Sequence, residues 1–334
     1  MFNLGNAPRP ARRRARRLAA CAVMTATVAL PGVAVPGVAA SAAPIPVTVR
    51  SVAPSATDPA IDDRYGEHYV AVGPATLRNG KMLVFFAGTG GRPDDYSQFL
   101  IHAAKRGYLA VGLAYPNDLS INGDVCAGQP AQCKEDTRLE ILLGASVVNS
   151  PWLYPNISDA DAAYHRLVRL VANQAAAYPA EGWGGLLVDP ATPRWGSIAF
   201  AGHSQGGGHA AMTGKINTVD RAVLFDATEP AAWTQEPKDT PSNRFWGLAH
   251  EREDPFESVT RSWQLLGIPG ELFIVDGQAP PFGGSHQLVS TTTACTGDPG
   301  DSSTWHQCVI ADQHLPTGAT LTHLKTVWNH LLAG

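Results

Sequence analysis

The sequence predicts an α/β fold in which a mostly parallel sheet is covered by helices on both faces. Three observations predict it. Short apolar runs alternate with stretches of helical spacing through most of the chain. The 334 residues are 44% apolar and only 16% charged, a balance that can bury a large core. The 26 prolines and 33 glycines are spread along the chain, which reads as many ordered loops in one unit rather than two units and a linker.

The first forty or so residues stand apart. Six arginines (Arg9, Arg12, Arg13, Arg14, Arg16, Arg17) precede an apolar run from about Leu18 to Val38, and Ala40-Ser41-Ala42 supplies small residues for cleavage. A basic start, a short apolar middle and small residues at the end predict a secretory signal over 1–42. Pro31, Pro36 and the alanine-rich composition of the run weigh against a membrane anchor. The residues around Arg16-Arg17 fit a twin-arginine pattern poorly, so the export route stays open. The chain after residue 42 carries 19 basic and 29 acidic residues, net −10. That charge argues against nucleic acid and anionic membrane surfaces as partners.

From residue 43 the elements follow in order. Residues 43–80 could supply one or two leading antiparallel strands. Lys81–Ala87 (KMLVFFA) reads as a buried strand feeding Gly88-Thr89-Gly90-Gly91. Asp94 to Lys105 has helical spacing, with Phe99, Leu100 and Ala103 on one face, and Tyr108–Ala114 is the next strand. The segment 117–157 holds two cysteines and a helical fragment at Glu140–Gly144, and it is where the chain departs from the family pattern named below, as a candidate partial lid. A stronger helix begins near Ser158, with Ser158 and Asp159 suited to the cap. Then come a strand at Ser197–Ala201, a helix at Gly206–Lys215 and strands at Ala222–Phe225 and Arg244–Ala249. A helix at Val259–Leu266, a strand at Leu272–Val275 and a helix at Leu321–Leu332 complete the pattern.

Four cysteines follow the leader: Cys126, Cys133, Cys295 and Cys308. They allow three pairings. Cys126–Cys133 and Cys295–Cys308 are preferred, because each closes a short local loop. The CxxC pairs of structural zinc are missing, and no HExxH is present, so neither a metal nor another cofactor is expected.

The sharpest chemical signal is Gly202-His203-Ser204-Gln205-Gly206, placed between a predicted strand and a predicted helix. A serine on so sharp a turn needs small neighbours two residues away, which Gly202 and Gly206 supply. A serine hydroxyl is a weak nucleophile until a base removes its proton. His286, after the last predicted strand, is the first choice for that base, and His306 is its rival. His203, beside the serine, should point away from the turn. His209, His250, His314, His323 and His330 read as packing or surface residues. The acid should follow the strand ending at Ala249. Asp254 is chosen there, with Glu251 and Glu253 open and Asp226 as the rival after the preceding strand. An oxyanion needs two backbone N–H donors, assigned to Thr89 and Gln205.

These motifs resemble the α/β-hydrolase superfamily, in particular its bacterial exported esterase and lipase-like members. Gly88-Thr89-Gly90-Gly91 is similar to their oxyanion loop and Gly202–Gly208 to their nucleophile elbow. The resemblance covers roughly residues 80–334. It implies an eight-stranded sheet, a Ser-His-acid triad and hydrolysis of carboxylic esters, small or polymeric, through an acyl-enzyme. A lipid- or polyester-degrading enzyme with the same triad is the alternative, to which Trp152, Tyr154, Trp183 and Trp233 could lend a surface. A non-catalytic secreted binding protein on the same fold is the alternative of another class.

Overall fold

The computed structural model describes residues 43–148, 150–151, 154–155 and 157–333. The expected signal segment, 1–42, and Trp152 lie outside the described residues. The main sheet has nine strands. β1 (Thr48–Val52), β2 (His68–Val72), β3 (Met82–Phe86) and β4 (Leu109–Leu113) come first, and β7 (Ile198–His203), β8 (Arg221–Phe225), β9 (Phe245–His250), β10 (Phe273–Ile274) and β11 (Gln287–Ser290) follow. Their spatial order is β1-β2-β4-β3-β7-β8-β9-β11-β10. β1 and β2 are antiparallel to their neighbours, and every pair from β4 to β10 is parallel. A separate two-stranded ribbon joins β5 (Leu187–Asp189) to β6 (Thr192–Pro193).

The eight α-helices are α1 (Pro54–Thr57), α2 (Ser97–Lys105), α3 (Gln132–Leu143), α4 (Ala163–Ala177), α5 (Gln205–Ile216), α6 (Phe256–Leu265), α7 (Ser302–Gln307) and α8 (Gly318–Leu332) among the described residues. Strand alternation divides the core into two layers. Met82, Val84 and Phe86 of β3 face a cluster that includes Leu167 and Leu170 of α4, Met212 of α5 and Trp263 of α6. Leu83 and Phe85 face the opposite cluster, with Phe99 and Leu100 of α2 and Val327, Trp328 and Leu331 of α8. Helices therefore cover both faces, as the alternating sequence pattern predicts. Among the described residues no helix is long and apolar enough to cross a membrane.

Two expectations need correction. The sheet has nine strands rather than eight, because β11 was not foreseen. β11 (QLVS) has only two apolar residues, too few for a visible run, yet it is buried along its length between β9 and β10. β10, read from sequence as the last strand, is the two-residue edge beyond it. The helix near Ser158 is also interrupted. Ser158 caps a single 3-10 turn at Asp159–Asp161, and α4 starts afterwards at Ala163.

The cysteines pair as Cys126–Cys133 and Cys295–Cys308, with Cα atoms 5.7 and 5.4 Å apart. The first bond ties the turn at Ile121–Val125 to the start of α3, within the segment 117–157. The second ties the end of α7 to the loop after β11.

Candidate active site

Every parallel strand delivers its C-terminal end to one edge of the sheet, where loops can gather polar side chains. Ser204 sits there, between the last residue of β7 and the first of α5, at φ 54° and ψ −124°. Positive φ is costly for a residue with a Cβ, so the surroundings must hold it. Ser204 N–H donates to the Phe225 carbonyl at 2.9 Å, and its own carbonyl accepts from Gly207 at 3.0 Å. Space is the second constraint. A Cβ on Gly202 would lie 2.3 Å from the Gly206 backbone, and one on Gly206 would lie 2.2 Å from the Phe86 carbonyl oxygen. The N-terminus of α5 abuts the serine and favours negative charge there.

The loop 88–91 follows β3 beside this turn. Asn117 Nδ2 donates to the Gly88 and Gly91 carbonyls at 2.7 and 2.8 Å, and Tyr115 Oη donates to the Ala87 carbonyl at 2.6 Å. The Gly90 amide donates to Asn117 O and the Gly91 amide to Gly88 O. Among the described residues no acceptor takes the Thr89 amide. Gln205, the first residue of α5, has an amide with no intrahelical acceptor. Its side chain braces the site: Oε1 accepts from Ile121 N at 2.8 Å and from Thr89 Oγ1 at 3.2 Å, and Nε2 donates to Leu119 O at 3.1 Å.

Two cavities, of about 150 and 270 Å³, flank the serine, and Ser204, Thr89 and His306 line both. His306 rides on α7, and its Nδ1 donates to Glu253 Oε2 at 2.5 Å. Glu253, in the loop after β9, is buried, and burial raises its pKa. Asp226, in the turn after β8, is buried beside it, and one of its oxygens accepts from the His250 backbone N–H at 2.9 Å. Burial, reinforced by the charge of Glu253, raises the Asp226 pKa well above the usual carboxyl range.

The structure brings Ser204, Thr89, Gln205, His306 and Glu253 together. It does not bring His286 or Asp254 to them. His286 precedes β11, at the opposite edge of the sheet. Its ring stacks on Trp246 with centroids 3.4 Å apart, and its Nδ1 lies 3.0 Å from the Phe245 carbonyl at the start of β9. The six-residue length of β9, roughly 17 Å, separates that edge from the serine's edge. His286 was placed after the last strand visible in the sequence; β11 follows it, and α7, beyond β11, carries His306. Asp254 is exposed, and its carboxylate accepts from Ser302 Oγ at 2.7 Å, next to the start of α7. Its neighbour Glu253 turns inward instead.

Four further residues, to which the sequence reading gave no role, brace the site: His203, Tyr96, Arg138 and Glu229. His203, expected to point away from the serine turn, lines the larger cavity with Ser204 and His306 and takes part in a hydrogen-bonded chain. The Gly88 N–H donates to Tyr96 Oη at 3.2 Å, Tyr96 Oη lies 2.9 Å from His203 Nδ1, and His203 Nε2 lies 2.8 Å from the His306 carbonyl oxygen. A carbonyl only accepts, so Nε2 carries the proton and Nδ1 accepts from the tyrosine. Burial drives the His203 pKa down to about 3, which keeps the ring neutral and the chain intact. It joins the loop 88–91 to the backbone of His306. Arg138 of α3 reaches under the elbow, donating from Nη1 to Gln205 O at 3.0 Å and from Nη2 to Glu229 Oε2 at 2.7 Å. Burial opposes the charge on Glu229, but Arg138 outweighs it and holds the Glu229 pKa below its usual value. The segment 117–157 thus forms a wall of the smaller cavity, through Ser120, Asn122 and Arg138.

Two groups of side chains have metal-ligand chemistry among the described residues: His250 with Cys295 and Cys308, and Asp226 with Glu253 and His306. The sulfurs of the first are spent in a disulfide. In the second, His306 Nδ1 and Glu253 Oε2 are 2.5 Å apart. Two ligands on a tetrahedral ion with ~2.1 Å bonds would stand roughly 3.4 Å apart. That spacing suits a shared proton, not a bridging metal.

No family model matches this chain, and no curated protein matches it.

Proposed function

We propose that this chain is an exported serine hydrolase of the α/β-hydrolase type that cleaves carboxylic esters, with Ser204 as nucleophile, His306 as base and Glu253 as acid. The observation that carries the reading is the positive-φ serine between β7 and α5, lining the same cavities as a histidine whose Nδ1 is held by a buried carboxylate. The order Ser204, Glu253, His306 along the chain agrees with the order nucleophile, acid, base of that fold. Disulfides and the leader pattern in the sequence support export.

In this mechanism Glu253 fixes the tautomer in which Nδ1 carries a proton, leaving Nε2 to accept one. Nε2 takes the proton of Ser204 as Oγ attacks the ester carbonyl. The amides of Thr89 and Gln205 receive the oxyanion. The tetrahedral adduct collapses, the C–O bond to the alcohol breaks, and His306 returns the proton to the leaving oxygen. Water, deprotonated by the same nitrogen, then attacks the acyl-serine and releases the acid. Ser204→Ala is expected to lower esterase kcat/KM by at least about 10⁴-fold with an unchanged melting curve, and to abolish labelling by a fluorophosphonate probe. A folded wild-type protein that the probe does not label would favour the binding-protein alternative.

The cavity lining favours short, soluble esters over lipids and polymers. The smaller cavity presents Ser120, Asn122, Thr228, Glu229 and Ser258, with Ala227, Pro255 and Val259 as its apolar share. Tyr154, Trp183 and Trp233 are buried and so offer no platform for an insoluble surface. A hydroxylated acyl group should therefore be preferred to its alkyl isostere. Glycolyl against propionyl esters of one alcohol should differ by about tenfold in kcat/KM, the worth of one hydrogen bond. Rates that climb steadily with alkyl chain length would instead favour the lipid-type alternative.

A further inference from the structure

Behind the proposed base lie two carboxyl groups where one would serve. We infer that Asp226 and Glu253 share a single proton, carried by Asp226 and donated to Glu253, so that His306 meets one negative charge and Asp226 acts as a positioning residue. The role of the pair in catalysis rests on the function proposed above; the existence of the shared proton does not.

The argument begins with unpaired atoms. Asp226 is 2% exposed and Glu253 3%. One oxygen of each is taken: Asp226 Oδ1 by the His250 backbone N–H and Glu253 Oε2 by His306 Nδ1. The other two, Asp226 Oδ2 and Glu253 Oε1, are buried without a hydrogen-bond partner among the described residues. An oxygen of each carboxyl group and a ring nitrogen of His306 lie within 4.8 Å of one another. Two ionised carboxylates so placed would repel strongly, and two orphaned acceptors would go unsolvated. A proton between the orphaned oxygens removes both costs.

Among the described residues the charged neighbours leave no other source of compensation. Arg138 is committed to Glu229. The Arg252 guanidinium lies over the Trp305 ring, 5.0 Å from its centroid. The His250 ring is neutral, because its Nδ1 accepts from Arg252 N and its Nε2 donates to Thr292 O. His306 is shared with Glu253 alone. The pair is also asymmetric. Burial raises both pKa values, but Glu253 alone receives the N–H of His306, which favours its charged form, while the charge of Glu253 raises Asp226 further. The proton therefore belongs to Asp226 and the charge to Glu253, the residue in contact with the histidine.

Infrared spectroscopy in D₂O and steady-state kinetics on the full chain test this together. At neutral pH the wild type should show the C=O stretch of a protonated carboxylic acid, and Asp226→Asn should remove it. Asp226→Asn keeps a donor for Glu253 Oε1 and an acceptor for His250 N–H. Its kcat/KM should stay within about threefold of wild type, with the acidic limb of the pH–rate profile unmoved. Asp226→Ala strips the donor from a buried charge and should cost about 10- to 100-fold and displace that limb. Glu253→Gln should cost about 10³-fold or more. Absence of the band in wild type overturns the shared proton. An Asp226→Asn enzyme as crippled as Glu253→Gln overturns the assignment of charge and proton. Failure of the catalytic reading would show separately, as wild-type protein with the band but without esterase activity, and would overturn the positioning role alone.

Discussion

His306→Ala should lower esterase kcat/KM by about 10⁴-fold or more, while His286→Ala leaves it within about threefold of wild type. The contrast follows from the edges of the sheet. His306 shares both cavities with Ser204 and is held at three points: by Glu253 at Nδ1, by His203 at its carbonyl, and by the bond at Cys308 two residues on. Removing its imidazole removes the acceptor for the serine proton and strands Glu253 in a buried site. His286 makes a different kind of contribution. It stacks on Trp246 and caps the Phe245 carbonyl, so its loss should cost about 1 kcal/mol of stability and no chemistry. Esterase rates on a soluble aryl ester, beside urea denaturation of both variants, check the pair. Equal kinetic losses, or a greater loss at His286, would remove the proposed base.

Gly206→Ala should destabilise the protein by roughly 3 kcal/mol or more and abolish measurable esterase activity. The added methyl would lie 2.2 Å from the Phe86 oxygen and 2.4 Å from the Ala87 oxygen. Both are backbone atoms at the end of a fully buried central strand, so no side-chain rotation relieves the contact. Either β3 or the elbow must shift, and either shift separates Ser204 from Thr89. Gly184→Ala provides the control, because a Cβ there meets nothing within 4 Å and the backbone is not left-handed. Its denaturation midpoint should match wild type. A Gly206→Ala protein with wild-type midpoint and rate would show that the close approach of elbow and sheet carries no constraint.

β3, β4, β7, β8 and β9 were legible in the sequence because each is apolar on both faces and stands out as a run. The serine turn was legible because its steric demands fall on neighbours at fixed spacing. β11 was not, because a four-residue strand whose ends are Gln287 and Ser290 draws its burial from β9 and β10 rather than from its own composition. The proposed base follows that strand, so the missed element and the choice of His286 have one cause. Glu253 and Asp254 were indistinguishable for another reason. Adjacent carboxylates in a turn point different ways, and only the packing against Asp226 and His306 makes one of them internal. His203 and Arg138 act through bonds to distant backbone carbonyls, which no local spacing encodes.

The Cys295–Cys308 bond closes a loop whose far end lies two residues from His306. Such a crosslink is worth about 3 kcal/mol to the folded loop. Here that energy is spent on mounting the proposed base rather than on the core. The crosslink therefore acts locally, restricting the segment that carries the proposed base and leaving the sheet beneath it untouched.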